Sequence, residues 1–83
     1  MYVSIHNAKK VTFDGRDCFI VCLMDDRGNL LFDRENKRYD PEATSEHSTQ
    51  EEAINHAKNL AQRRAAKFVS LVREDRRLER IPL

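Results

Sequence analysis

Residues 18–24, Cys-Phe-Ile-Val-Cys-Leu-Met, form an unbroken apolar run in a chain of 83 residues, 35% of them charged. The run is rich in β-branched and aromatic residues and is too short for a typical helix, so it reads as a strand. Successive side chains of a strand point to opposite faces. Phe19, Val21 and Leu23 then face one way, and Cys18, Ile20, Cys22 and Met24 the other. A strand that is apolar on both faces is expected to be the middle of a sheet and needs cover on both sides. Left uncovered, three or four large apolar side chains expose a few hundred Å², roughly the size that marks an interaction site.

The chain has little material for that cover. Eighty-three residues make one domain, residues 1–83, and a domain of this size buries only about 60–65% of its unfolded surface. The 40% apolar content still suffices for a globular fold. No stretch approaches the ~20 apolar residues of a membrane span. The opening MYVSIHNAKK lacks a basic region followed by an apolar one, so no secretory signal is read there and a cytoplasmic protein is expected. The cysteines agree. On one strand, Cys18 and Cys22 stand roughly 13 Å apart, beyond the about 7 Å that a disulfide allows. They are expected to be free thiols that behave as small hydrophobes.

The remaining pattern is strand-rich before residue 33 and helical after residue 48. Val3 and Ile5 alternate with Ser4 and His6, predicting a strand over residues 2–6. Val11 and Phe13 suggest another, followed by a tight turn at Asp14-Gly15. Residues 25–29 form a second turn, and Leu30, Leu31 and Phe32 a further short strand. Residues 33–47 are polar, contain Pro41 and read as a long loop with a short edge strand near Arg38-Tyr39.

The helix signal is clear. Ser48 with Glu51, or Thr49 with Glu52, fits a capping box. Ala53, Ile54, Ala57, Leu60 and Ala61 then share one face. A helix over about residues 49–64 is expected, with an alanine-rich stripe that can lie close to a flat sheet. Lys67–Val72 and Arg77–Ile81 read as two final strands around a turn at Glu74-Asp75-Arg76. The fold class is α+β: an antiparallel sheet of four to six strands with one amphipathic helix on one face, in the order β-β-β-(β)-α-β-β.

The second half carries a resemblance. A capped helix of the form T-x-x-E-A-I-x-x-A-x-x-L-A, followed by a strand and a charged hairpin, is similar to the DUF2188 group of small bacterial proteins. Here the pattern falls on Thr49, Glu52, Ala53, Ile54, Ala57, Leu60 and Ala61, with Phe68–Val72 after it. The chain departs from the group where Ala65-Ala66 and Asp75-Arg76 replace the usual glycines. The resemblance implies a bacterial or phage origin and carries no established activity. A looser likeness of architecture exists to small phage anti-CRISPR proteins, which pack one helix on an antiparallel sheet.

Chemistry-bearing patterns are sparse. Of His6, His47 and His56, none stands four residues from another histidine, and no CxxC occurs, so a zinc site is not expected. Glu52 and His56 are ordinary helix-surface neighbours. Asp25, Asp26 and Asp33 do not have calcium-loop spacing, and the two glycines form no phosphate cradle. A non-enzyme without cofactor, metal or small-molecule substrate is expected.

Two binding classes remain. The first is a small interaction protein that binds a protein partner, for instance as a phage inhibitor of a host complex, or self-associates as a homodimer through its sheet. The interface residues on that reading are Phe19, Val21 and Leu23, with Ile20, Cys22 and Met24 as the other choice. The alternative is nucleic-acid binding. Residues 1–48 carry seven basic and nine acidic groups, whereas residues 49–83 carry eight and five, so the C-terminal part is the basic one. Lys9, Lys10, Arg63, Arg64, Lys67, Arg73, Arg76, Arg77 and Arg80 are the candidate phosphate contacts. Cover of the second sheet face by loop 33–47 is the bland competitor to an interface.

Overall fold

The computed structural model describes residues 1–8, 18–73 and 77–83. The strand expected around Val11 and Phe13, the Asp14-Gly15 and Glu74-Asp75-Arg76 turns, and Lys9, Lys10 and Arg76 lie outside the described residues.

In chain order the elements are β1 (Tyr2–Asn7), β2 (Phe19–Met24), β3 (Phe32–Asp33), β4 (Arg38–Tyr39), β5 (Thr44–His47), α1 (Gln50–Arg64), β6 (Val69–Val72) and β7 (Leu78–Ile81). Five strands form one sheet in the order β5-β2-β1-β6-β7, and β3 and β4 pair separately as a small hairpin. The α+β class with one helix on the sheet is thus what the chain adopts.

Two expectations need correction. The β2–β1, β2–β5 and β6–β7 seams are antiparallel, as expected, but β1 and β6 pair in parallel, Val3 beside Val69 and Ile5 beside Leu71. The cause is the connection. Strand β5 is antiparallel to β2 and so runs with β1. The 15-residue helix α1 is about 22 Å long, close to the length of a strand, and carries the chain back to the end where β5 began. Strand β6 therefore runs the same way as β5 and β1. The crossover also sets β6 on the far side of β1. That makes β1 the middle of the sheet, and the apolar run of β2 lies one place from the edge.

Helix α1 begins as its sequence dictates. Thr49 is the N-cap, and its hydroxyl accepts from the Glu52 amide at 3.2 Å. The Glu52 carboxylate accepts from the Ser48 hydroxyl, 3.3 Å away. Acidic Glu51 and Glu52 stand in the first turn and basic Arg63 and Arg64 in the last, matching the helix dipole. The helix ends at Ala65, which takes a left-handed conformation at φ 53°.

Ala53, Ala57, Leu60 and Ala61 bury the expected stripe against Val3, Ile5, Phe19, Val21, Leu23, Val69 and Leu71. Small alanine side chains let the helix axis approach the sheet, so the larger strand residues fill the gap. Each fully buried Val, Leu or Ile contributes about 1.5–3 kcal/mol, and Val3, Ile5, Val21, Leu23, Leu60 and Val69 are all fully buried.

Candidate partner-binding face

The helix settles which side of β2 is core. Phe19, Val21 and Leu23 lie beneath it, at 7%, 0% and 0% exposure. They were the expected interface, and burial in the core removes them from any contact with a partner. Ile20, Cys22 and Met24, the other choice, project to the opposite side of the sheet and are only half-buried.

Loop 33–47 does not become a second layer over that side. Its last part extends the sheet as β5, pairing Thr44 to His47 with Cys22 to Phe19. The segment before β5 is tied to the end of the helix. Arg64 grips Asp40 through two nitrogens, at 2.8 and 3.2 Å, and also reaches Glu42 at 3.1 Å. Arg63 reaches Glu42 at 2.7 Å. These arginines hold the carboxyls of Asp40 and Glu42 below the ordinary carboxylate range, chiefly through the hydrogen bonds.

Strand register defines the open side of the sheet. One row across it is Thr44, Cys22, Ser4, Ser70 and Arg80. The next is Glu46, Ile20, His6, Val72 and Leu78. On the other flank stand Met24, Tyr2 and Phe68. The middle row is small at its centre. Ser4 and Ser70 are each only 4% exposed because taller neighbours rise on both sides. The result is a shallow furrow with hydroxyls on its floor and apolar walls.

Local contacts order this face. The Ser4 hydroxyl lies 3.0 Å from His6 Nε2. Burial pushes the His6 imidazole below its usual pKa. Burial also raises the Cys22 thiol, against a smaller opposing effect of its hydrogen bond to Ser4. A thiol shifted upward stays in its protonated form at neutral pH. Tyr2 stacks on Phe68, with ring centroids 4.9 Å apart, and the Arg80 guanidinium lies 3.8 Å from the Phe68 centroid. Leu78 is 70% exposed. At one end of the face, His6, Asn7, Val72 and Arg73 line a small open cavity of about 200 Å³; separately, the buried Asn7 Oδ1 has no hydrogen-bond partner.

On the helix side the structure adds a pair that the sequence did not announce. The His47 and His56 rings meet across β5 and α1, 4.7 Å between centroids, and Ser45 Oγ lies 2.9 Å from His47 Nε2. Their separation of nine positions matches neither helix nor strand period, so spacing alone cannot reveal it. Among the described residues, no three His, Cys, Asp or Glu side chains are grouped to hold a metal ion.

The basic candidates are mostly engaged within the chain. Arg63 and Arg64 bind Glu42 and Asp40. Arg73 pairs with Glu79, and Lys67 with Asp26 at 3.3 Å. The amino group of Met1 also pairs with Asp26. Arg80 stands apart on the open face, over Phe68, and Arg77 is exposed. The sequence-based cluster is therefore dispersed over the helix end, the β6–β7 hairpin and the open face.

Fold and face together define a small one-helix α+β domain in which, among the described residues, the helix covers one side of the sheet. The chain belongs to the DUF2188 family, described as an uncharacterized protein conserved in bacteria, whose pattern matches residues 35–79. That segment takes in β4, β5, α1, β6 and the start of β7. No curated protein and no solved structure matches the chain. No helix among the described residues is long and apolar enough to cross a membrane.

Proposed function

We propose that this chain is a non-enzymatic, cytoplasmic protein-binding module that engages its partner through the open face of the sheet. One observation carries the reading. Ile20, Met24, Val72, Tyr2 and Phe68 remain half-buried and Leu78 exposed on a sheet face that α1 does not cover. Contiguous apolar surface of this kind on a small domain marks an interaction site. The two free cysteines suit a reducing compartment.

The nucleic-acid reading has less support. Arg63, Arg64, Arg73 and Lys67 already neutralise carboxylates of their own chain, and each would have to leave its partner to contact a phosphate.

The test is a pair of face-specific variants. Ile20→Asp and Val72→Asp are expected to keep the far-UV circular dichroism of the parent and to lose its specific protein contacts, read by affinity capture from the native host. Unchanged capture by both variants overturns the reading. In a parallel titration, duplex and single-stranded nucleic acid are expected to show no salt-sensitive binding. A steep salt dependence that weakens with Arg77→Ala would favour nucleic acid instead.

A further inference from the structure

We infer that His47 and His56 form a binding site for a first-row divalent metal ion, held by two imidazoles in cis positions with water in the others. The site lies on the helix side of the sheet, away from the open face, and is independent of the protein-binding role proposed for that face. It begins with two rings brought together by the fold. His47 ends edge strand β5 and His56 stands in the middle of α1. Their centroids are 4.7 Å apart and their planes are inclined by 38°, so the rings do not lie flat on one another.

The separation suits one shared ion. An imidazole nitrogen holds a divalent ion at about 2.0–2.1 Å, which sets the ion roughly 3.2 Å from the ring centre. Ring centres 4.7 Å apart then subtend about 95° at that ion. This is close to the cis angle of octahedral and tetragonal coordination, the geometries of Ni²⁺ and Cu²⁺. A tetrahedral ion would need ring centres about 5.2 Å apart. The terminal torsion of a histidine is soft, so each ring can turn one nitrogen toward the ion without moving the backbone.

The surroundings favour ligation. Ser45 Oγ lies 2.9 Å from His47 Nε2, which engages that nitrogen and leaves Nδ1 for the metal. A hydrogen bond to the other ring nitrogen is the usual way a ligating histidine is oriented. The nearest cation is compensated: Arg63 binds the Glu42 carboxylate at 2.7 Å and donates to Asn59 Oδ1, also at 2.7 Å. Both histidines are half-buried, so an ion can enter between them and keep water in its remaining positions. Among the described residues no third His, Cys, Asp or Glu joins them, which makes this a two-ligand site that clamps β5 to α1.

The experiment is calorimetric titration of the full chain with Ni²⁺ at about pH 7.5, where the imidazoles are free of protons. The parent is expected to take one ion per chain. His47→Gln and His56→Gln should each weaken binding by at least the roughly tenfold that even an outer-shell partner is worth. The double variant should be little worse than either single one, because both rings act on one ion. His6→Gln, on the other side of the sheet, should bind as the parent does. Ni²⁺ should raise the melting temperature of the parent and of His6→Gln, and not that of the other variants; the melts in metal-free buffer check that each variant folds. In the parent itself, paramagnetic Ni²⁺ should broaden the ring-proton resonances of His47 and His56 before those of His6, a readout that needs no substitution. A parent that takes up no Ni²⁺ overturns the inference. So does binding that survives both single variants, binding that only halves in each as two independent sites would, or broadening that begins at His6.

Discussion

Ala65 closes the helix in a left-handed conformation, φ 53°, that glycine adopts without steric cost. An alanine there is strained by roughly 1 kcal/mol, partly offset because glycine loses more freedom on folding. Ala65→Gly is therefore expected to stabilise the domain by about 0.5 kcal/mol, seen as a higher urea midpoint with an unchanged slope. The two faces of β2 give a sharper contrast. Val21→Thr buries a hydroxyl among core side chains and should cost about 1–3 kcal/mol. Cys22→Ser, on a half-buried site beside Ser4, should melt near the parent. Equal loss in both would contradict the placement of the core. The sequence could not choose between these faces, because Phe-Val-Leu and Ile-Cys-Met are similarly apolar. The deciding information lay in a distant element, the alanine stripe of α1, and in which side of the sheet that stripe reaches.

Helix α1 was legible because capping, dipole charges and periodic alanines all pointed to one answer. Strand β5 was not. Thr44, Ser45, Glu46 and His47 have no apolar member, so hydrophobic alternation is silent, and only pairing with the outer edge of β2 makes them a strand. That edge strand meets the helix through His47 and His56. His56 is held below its usual pKa, first by burial, then by the nearby charges of His47 and Arg63, with Glu42 opposing. His6 on β1 is lowered by burial as well. The folded state thus prefers both of these rings neutral, while the unfolded chain takes up protons from about pH 6.5 downward. Stability should be flat above that pH and fall as pH drops below it through the folded-state values. Urea midpoints measured between pH 7.5 and 5 should show this slope, and His56→Gln should make it shallower. A second loss belongs to more acidic solution, where Asp40 and Glu42, depressed by Arg64 and Arg63, finally protonate. A curve that is level down to the carboxylate range would mean that neither ring is held neutral by the fold.

At the scale of the molecule, the outline of strands, helix and strands could be read from the chain, but the order of the sheet could not. Alternation identifies strands without naming their neighbours, and the parallel seam follows only from the length and direction of the crossover. The family pattern, residues 35–79, contains that crossover, while β1 and β2 lie before it. The parallel seam pairs Val3 with Val69 and Ile5 with Leu71. A version ending at residue 66 keeps the helix sequence but leaves one edge of β1 without hydrogen-bond partners. It is expected to lack a cooperative melt and to be cleaved rapidly by protease. A folded, resistant fragment would show that the seam is dispensable. The same pairing has a temporal consequence. During synthesis β1 emerges well before its second neighbour, β6, so the middle of the sheet waits for residues that do not yet exist. Contacts between such distant positions make for slow folding, and for that interval the nascent chain offers an unpaired apolar edge to whatever else is nearby in the cell.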